Sequence, residues 1–128
     1  GEVVGERGPV QDVIAEPEYL DITLEPGADF EHPTTPGHTV FVYVLSGSGR
    51  VGLNLAHELS SGQLALFSDG TSVLARASDR PFRFVLVAGK PLGEPVAWSG
   101  PIVMNTREEL GNAFREYQEG TFISDEEK

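Results

Sequence analysis

The chain has no cysteine. That excludes a disulfide framework, a thiolate metal site and a cysteine nucleophile, and it suits a cytoplasmic protein. Positive charge is scarce as well: 9 Lys and Arg stand against 20 Asp and Glu, for a formal net charge of −11. A phosphate backbone would be repelled by that field, which argues against direct nucleic-acid binding. No apolar run approaches the roughly 20 residues needed to cross a bilayer, so no membrane span is expected. Gly1 rather than Met opens the sequence and no signal-peptide pattern follows, so it reads as a piece excised from a longer chain. Internal repeats and low-complexity segments are absent too.

What is there is ordinary for a folded domain. The 128 residues suffice for one core, and 39% are apolar against 23% charged. Turn signals recur at short intervals: Pro26-Gly27, Pro36-Gly37, Gly47-Ser48-Gly49, Ser61-Gly62, Asp69-Gly70 and Asp79-Arg80-Pro81. Between them lie β-branched and aromatic runs over 19–24, 39–45, 50–55, 63–67, 71–75 and 82–87. Short strands with such turns predict an antiparallel sandwich or barrel. In the run YLDITL, Leu20, Ile22 and Leu24 share one face while Asp21 and Thr23 share the other, the pattern of a half-exposed strand.

The run TVFVYVL departs from that pattern. Phe41, Tyr43 and Leu45 form one face, Val40, Val42 and Val44 the other, and both are apolar. A strand with no wet face needs cover from a second sheet, a helix or another domain. One helix is predicted over 108–117, where Leu110, Ala113, Phe114 and Tyr117 make an apolar stripe. Thr106 with Glu109 is a capping box, Gly120 a stop, and Gly111 a weak point inside. One domain is expected over 1–123, followed by an acidic disordered tail at 124–128.

Few residues offer chemistry. His32 and His38 could join Glu31 or Asp29 in a His/carboxylate metal site. The simpler reading makes them loop and strand-start histidines near the surface, since no tight H-x-H or H-x-x-x-H spacing is present. His57-Glu58 is expected in a hairpin turn and reads as a solvated pair. Gly47-Ser48-Gly49 lacks the helix and Lys of a phosphate loop and reads as a hairpin turn. No nucleophile elbow is visible. The carboxylate pairs Glu16/Glu18 and Glu108/Glu109 read as solvated faces rather than a glycosidase pair. Trp98, in the Pro- and Gly-framed segment PVAWSGP, is expected to pack the C-terminal segment onto the barrel, or else to line a pocket.

FVLVAGKPLGEPV over 84–96, GPIVMNTREEL over 100–110 and AFREY over 113–117 resemble the C-terminal cupin domain of pirin-like proteins. YLDITLEPGADF and FVYVLSGSG are similar to that domain's earlier strands, so the resemblance spans nearly the whole chain. It implies an all-β cupin jelly roll with one short C-terminal helix, one of two cupins in the parent. The other, N-terminal cupin of the family carries an iron-type site of three His and one Glu, as H-x-H and H-x-E. The family is associated with quercetin 2,3-dioxygenase-type activity and with transcriptional co-regulation through protein partners.

Counted from Gly27, the general cupin pattern puts its two histidines at Pro33 and Thr35 and its Glu at Thr39 or Val40. Counted from Gly70, the second motif falls near Val73 and Ala75. Pro33, Thr35, Val73 and Ala75 carry no metal-binding side chain, and a one-residue slip would turn His32 and His38 to the opposite side. The expectation is a domain with no catalytic, cofactor or metal residue of its own. It would scaffold the metal-bearing N-terminal cupin or a second copy of itself and offer a surface to protein partners. The alternatives are a small-molecule module with an apolar pocket on the Phe41/Tyr43 face, and a stand-alone metal-dependent dioxygenase. By the same parity, Phe41, Tyr43 and Leu45 are expected inside. Val40, Val42 and Val44 would then face outward and drive a homodimer.

Overall fold

The computed structural model describes residues 2–3, 5–9 and 13–123, and the acidic tail lies outside them. The chain divides into two compact units, Gly1–Leu92 and Gly93–Lys128. The first opens with a small hairpin of β1 (Glu2–Val3) and β2 (Glu6–Arg7). Eight further strands form two four-stranded antiparallel sheets. The first sheet runs, in spatial order, β3 (Glu18–Leu24), β10 (Phe82–Gly89), β5 (Thr39–Ser46), β8 (Leu64–Leu66). The second runs β4 (Asp29–Pro33), β9 (Ser72–Ala77), β6 (Ser48–Val51), β7 (His57–Ser60). Except for the β6–β7 hairpin, each step along the chain from β3 to β10 changes sheet. This is the expected jelly roll.

Strand alternation decides what fills it. From the first sheet, Val40, Val42 and Val44 point inward with Phe82, Phe84 and Leu86; from the second come Val73, Ala75, Ala77, Val51 and Leu59. The Phe82 and Phe84 ring centroids lie 4.9 Å apart. The valines of β5 are therefore core, and the face of Phe41, Tyr43 and Leu45 turns outward, with Tyr43 and Leu45 each 39% exposed. This inverts the expected parity. The expectation carried the inward phase from Pro33 across the turn at Pro36-Gly37, and a turn does not conserve the alternation of the strands it joins. In β4 itself the inward residues are Phe30 and His32, while Pro33 is exposed.

Gly47-Ser48-Gly49 is not a hairpin either, because β5 and β6 belong to different sheets. Gly47 has φ of 78°, and a Cβ there would sit 1.9 Å from the Pro81 carbonyl oxygen. A Cβ on Gly49 would lie 2.4 Å from the Phe82 ring. The first glycine lets the chain cross between sheets; the second leaves room for Phe82. The strand expected over 50–55 stops at Val51, and Leu53–Leu55 turn as a short 3-10 helix with Asn54 at φ 54°. Strand β4 escaped the sequence reading because DFEHP has no β-branched residue.

In the second unit, β11 (Ala97–Ser99) and β12 (Ile102–Met104) form a hairpin against which α1 (Arg107–Glu119) packs. Both capping-box bonds form: the Glu109 amide donates to Thr106 Oγ1 at 3.2 Å, and the Thr106 amide to Glu109 Oε2 at 3.3 Å. Gly120 ends the helix in the left-handed conformation. Ala113 is buried, but Tyr117 leaves the stripe and meets Phe122 edge-on at 6.4 Å. Trp98 stands 74% exposed opposite Val103, its indole N–H donating to the Gly100 carbonyl at 2.8 Å. No helix among the described residues is long and apolar enough to cross a membrane.

Candidate functional site

The described surface of the first unit includes two recesses that hold the histidines. One lies at the barrel end where the β4–β5, β6–β7 and β8–β9 connections meet; its volume is about 320 Å³. Thr34 and His38 line it with Asp69, Val40 and Val73. Asp69 ties two of the loops together, its Oδ1 accepting from the Gly37 amide at 2.6 Å and from the Gly70 amide at 3.1 Å. The Thr34 amide donates to the Thr71 carbonyl across the same gap. His38 approaches Glu16 at 3.8 Å.

The other recess is a cleft of about 580 Å³ along the seam between β3 and β4, each the edge strand of its sheet. His32 lies on its floor, 7% exposed, with Nε2 2.8 Å from Glu18 Oε2. The Phe30 ring lies nearly parallel to the imidazole at 6.2 Å and meets Phe84 edge-on. Leu20 and Ile22 complete the apolar wall.

The two histidines thus serve different recesses with different acids. Asp29 is engaged elsewhere, paired with Arg76 on the outer face of the second sheet. That contact lowers the Asp29 pKa, chiefly through the guanidinium hydrogen bond, and Arg83 does the same for Asp21. His57 and Glu58 are both exposed, as a solvated pair should be. No group of three His, Cys, Asp or Glu able to hold a metal occurs among the described residues.

At the positions where a cupin aims its ligands inward, the barrel presents Val40, Val73 and Ala75, 6%, 2% and 1% exposed. None has a lone pair to give, so these residues do not fit a metal. Pro33 and Thr35 are exposed, contrary to the expected inward phase, and Thr34 occupies the recess instead.

Glu18, expected with Glu16 on a solvated face, is instead part-buried against His32, and sequence reasoning missed that role. The signal was present: Glu18 shares the parity of Leu20, Ile22 and Leu24, which places a carboxylate on an apolar face. Its side chain is 21% exposed. His32 follows the same logic through Phe30.

Two four-stranded antiparallel sheets closed over one apolar core define a cupin-type jelly roll. Residues 19–123 match the model of the pirin C-terminal cupin domain, and the chain belongs to that family. Human pirin is 39% identical over 102 residues, covering 78% of this chain and 35% of that protein. A pirin-like protein of Solanum lycopersicum is 35% identical over 103 residues, covering 80% and 35%. The chain thus spans about a third of the length of these relatives. Among solved structures, quercetin 2,3-dioxygenase from Acinetobacter baumannii superposes with a TM-score of 0.86 at 29% identity, covering 95% of this chain and 41% of that one.

Proposed function

We propose that this chain is the metal-free, partner-docking half of a cytoplasmic two-cupin protein. The companion cupin would carry the metal and any quercetin 2,3-dioxygenase-type chemistry. The observation that carries this reading is the outer face of the first sheet. Strand pairing aligns Tyr19, Val87, Phe41 and Leu66 in one cross-strand row, and Val85, Tyr43 and Leu64 in the next. Tyr19 is 69% exposed, Leu66 68% and Leu64 55%. A contiguous apolar sheet face of this kind marks an interaction surface.

The occupant we assign is the outer face of another cupin. In the parent that is the companion domain; for the isolated chain it is a second copy. The Asp21–Arg83 pair at the rim is self-neutral, so two copies can approach here despite the overall negative charge. The apolar ligand positions support the other half of the reading, since Val40, Val73 and Ala75 cannot hold the metal that the companion would use.

Analytical ultracentrifugation of the isolated chain tests the docking face. The sedimentation mass is expected to rise with concentration above the 13.8 kDa of one copy, and Leu66→Lys is expected to abolish the rise. A mass that stays at one copy at all concentrations defeats the reading. Plasma mass spectrometry tests the other half: near-equimolar iron, nickel or zinc surviving mild chelation would show a functional metal domain instead.

A further inference from the structure

The seam cleft is separate from the docking face, and its chemistry points to a ligand. Glu18 projects from the inward face of β3 with its side chain only 21% exposed. A carboxylate drawn out of water loses hydration that must be replaced by hydrogen bonds or opposite charge. Here one oxygen receives a single hydrogen-bonded partner, the His32 imidazole at 2.8 Å. Among the described residues no Lys or Arg lines the cleft. The guanidinium of Arg83 is taken up by Asp21, both of whose oxygens it engages at 3.1 and 2.7 Å. The protein's formal charge of −11 adds to a negative field in the cleft.

Around this carboxylate the lining is mixed: the acids Asp21 and Glu31 and the hydroxyls of Thr34 and Thr35 share it with an apolar wall. Leu20, Ile22 and the Phe30 ring form the wall, and the volume of about 580 Å³ lies in the range of small-molecule pockets. The seam between the two strand edges is open over a part-buried imidazole–carboxylate pair. We propose that the cleft binds a small hydrophobic amine. Its ammonium would sit on the free oxygen of Glu18 and its hydrocarbon or aromatic body against Leu20, Ile22 and Phe30. His32 orients the carboxylate and is a positioning residue. Anions are excluded by charge. A neutral alcohol of the same shape keeps the apolar contact and loses the charge-assisted hydrogen bond.

Proton–nitrogen NMR titration of the full chain at pH 8 tests this with benzylamine, benzyl alcohol and benzoate as probes. Benzylamine is expected to shift the amides of Leu20, Ile22, Phe30 and His32 with saturation at millimolar concentration. Benzyl alcohol should bind about tenfold or more weakly, and benzoate should leave the signals in place. Glu18→Gln is expected to bring the amine down to the affinity of the alcohol. Thr35→Lys, at the exposed rim, adds a competing ammonium without touching the core and is expected to weaken the amine as well, which keeps the test intact should Glu18→Gln unfold the chain. The proposal is overturned by equal binding of benzylamine and benzoate, by amine shifts outside the seam only, or by affinity unchanged in both variants. None of these results bears on the ultracentrifugation of the docking face.

Discussion

The two sheets of the barrel share one core and differ in what they show to water. On the second sheet one cross-strand row reads Asp29, Arg76, Arg50, Glu58, two central bases flanked by an acid on each side. The corresponding row of the first sheet reads Tyr19, Val87, Phe41, Leu66. Inward positions of both are apolar, as a sandwich core requires, apart from Glu18 and His32 at the seam. The outward positions are free to be polar, and in this row of the first sheet they are not, although Asp21 and Arg83 stand at its rim. The unforced choice carries the information.

Substitutions on opposite faces of β5 give the largest contrast. Val42→Lys puts a charge where the residue is 0% exposed and should cost about 3–5 kcal/mol or unfold the unit outright. Tyr43→Lys, one position along, should cost about 1 kcal/mol or less while weakening self-association. If chemical denaturation found the two equally damaging, the outer face would be structural and the comparison would fail.

Gly49→Ala probes how tightly the two sheets share their core. Its Cβ would enter the space of the Phe82 ring, and overpacking of that kind costs about 1–3 kcal/mol. A neutral result in urea denaturation would mean the ring has room to move and the sheets are less closely fitted than the distances say.

Removing a helix cap should matter less. Thr106→Ala deletes one bond of the capping box in the second unit, and about 1 kcal/mol of stability is expected to go with it. An unmoved denaturant midpoint would mean that the helix contributes nothing to the cooperative transition, setting it apart from both sheets.

The smallest effect separates the charged sheet from the apolar one in acid. Asp29 has its pKa lowered from the ordinary 3.8 by the Arg76 hydrogen bond. A depressed carboxylate contributes stability above its unfolded pKa and loses it as pH falls through the folded one. The gap in urea midpoint between the wild type and Asp29→Asn should therefore be present at neutral pH and close below pH 3.8. Salt should shrink it, since the pair is exposed. A gap that persisted in strong acid would show that the substitution acts through packing.

Much of the fold was legible because strands and caps are written locally. Leu20, Ile22 and Leu24 announced the inward face of β3, and Thr106 with Glu109 announced the start of the helix. What was not legible depends on which strands lie side by side. His32 pairs across β4 and β9 with Val73, whose inward direction the sequence reading had right. Knowledge of that one pairing would have turned His32 inward too, and with it the whole parity of the barrel. The docking face and the seam cleft both depend on such pairings, so neither the two apolar rows nor the Glu18–His32 contact could be assembled from spacing alone. The companion domain and its metal rest on the resemblance, not on these residues.

Strand β3 opens the barrel in sequence and β10 closes it, yet the two lie side by side, with Leu20 opposite Leu86 and Ile22 opposite Phe84. As the chain leaves the ribosome, β3 therefore has no sheet to join until β10 has emerged, while β5 can pair only with β8. The strand that joins β3 to the β5–β8 pair is the last of the sheet to be synthesised. Closing so long a loop makes folding slow, and through that interval β3 stands unpaired and the inner edge of β5 open. A nascent first unit is thus most exposed to aggregation until residue 89 clears the exit tunnel, and a permuted chain that begins at β10 would shorten that interval without altering the finished barrel.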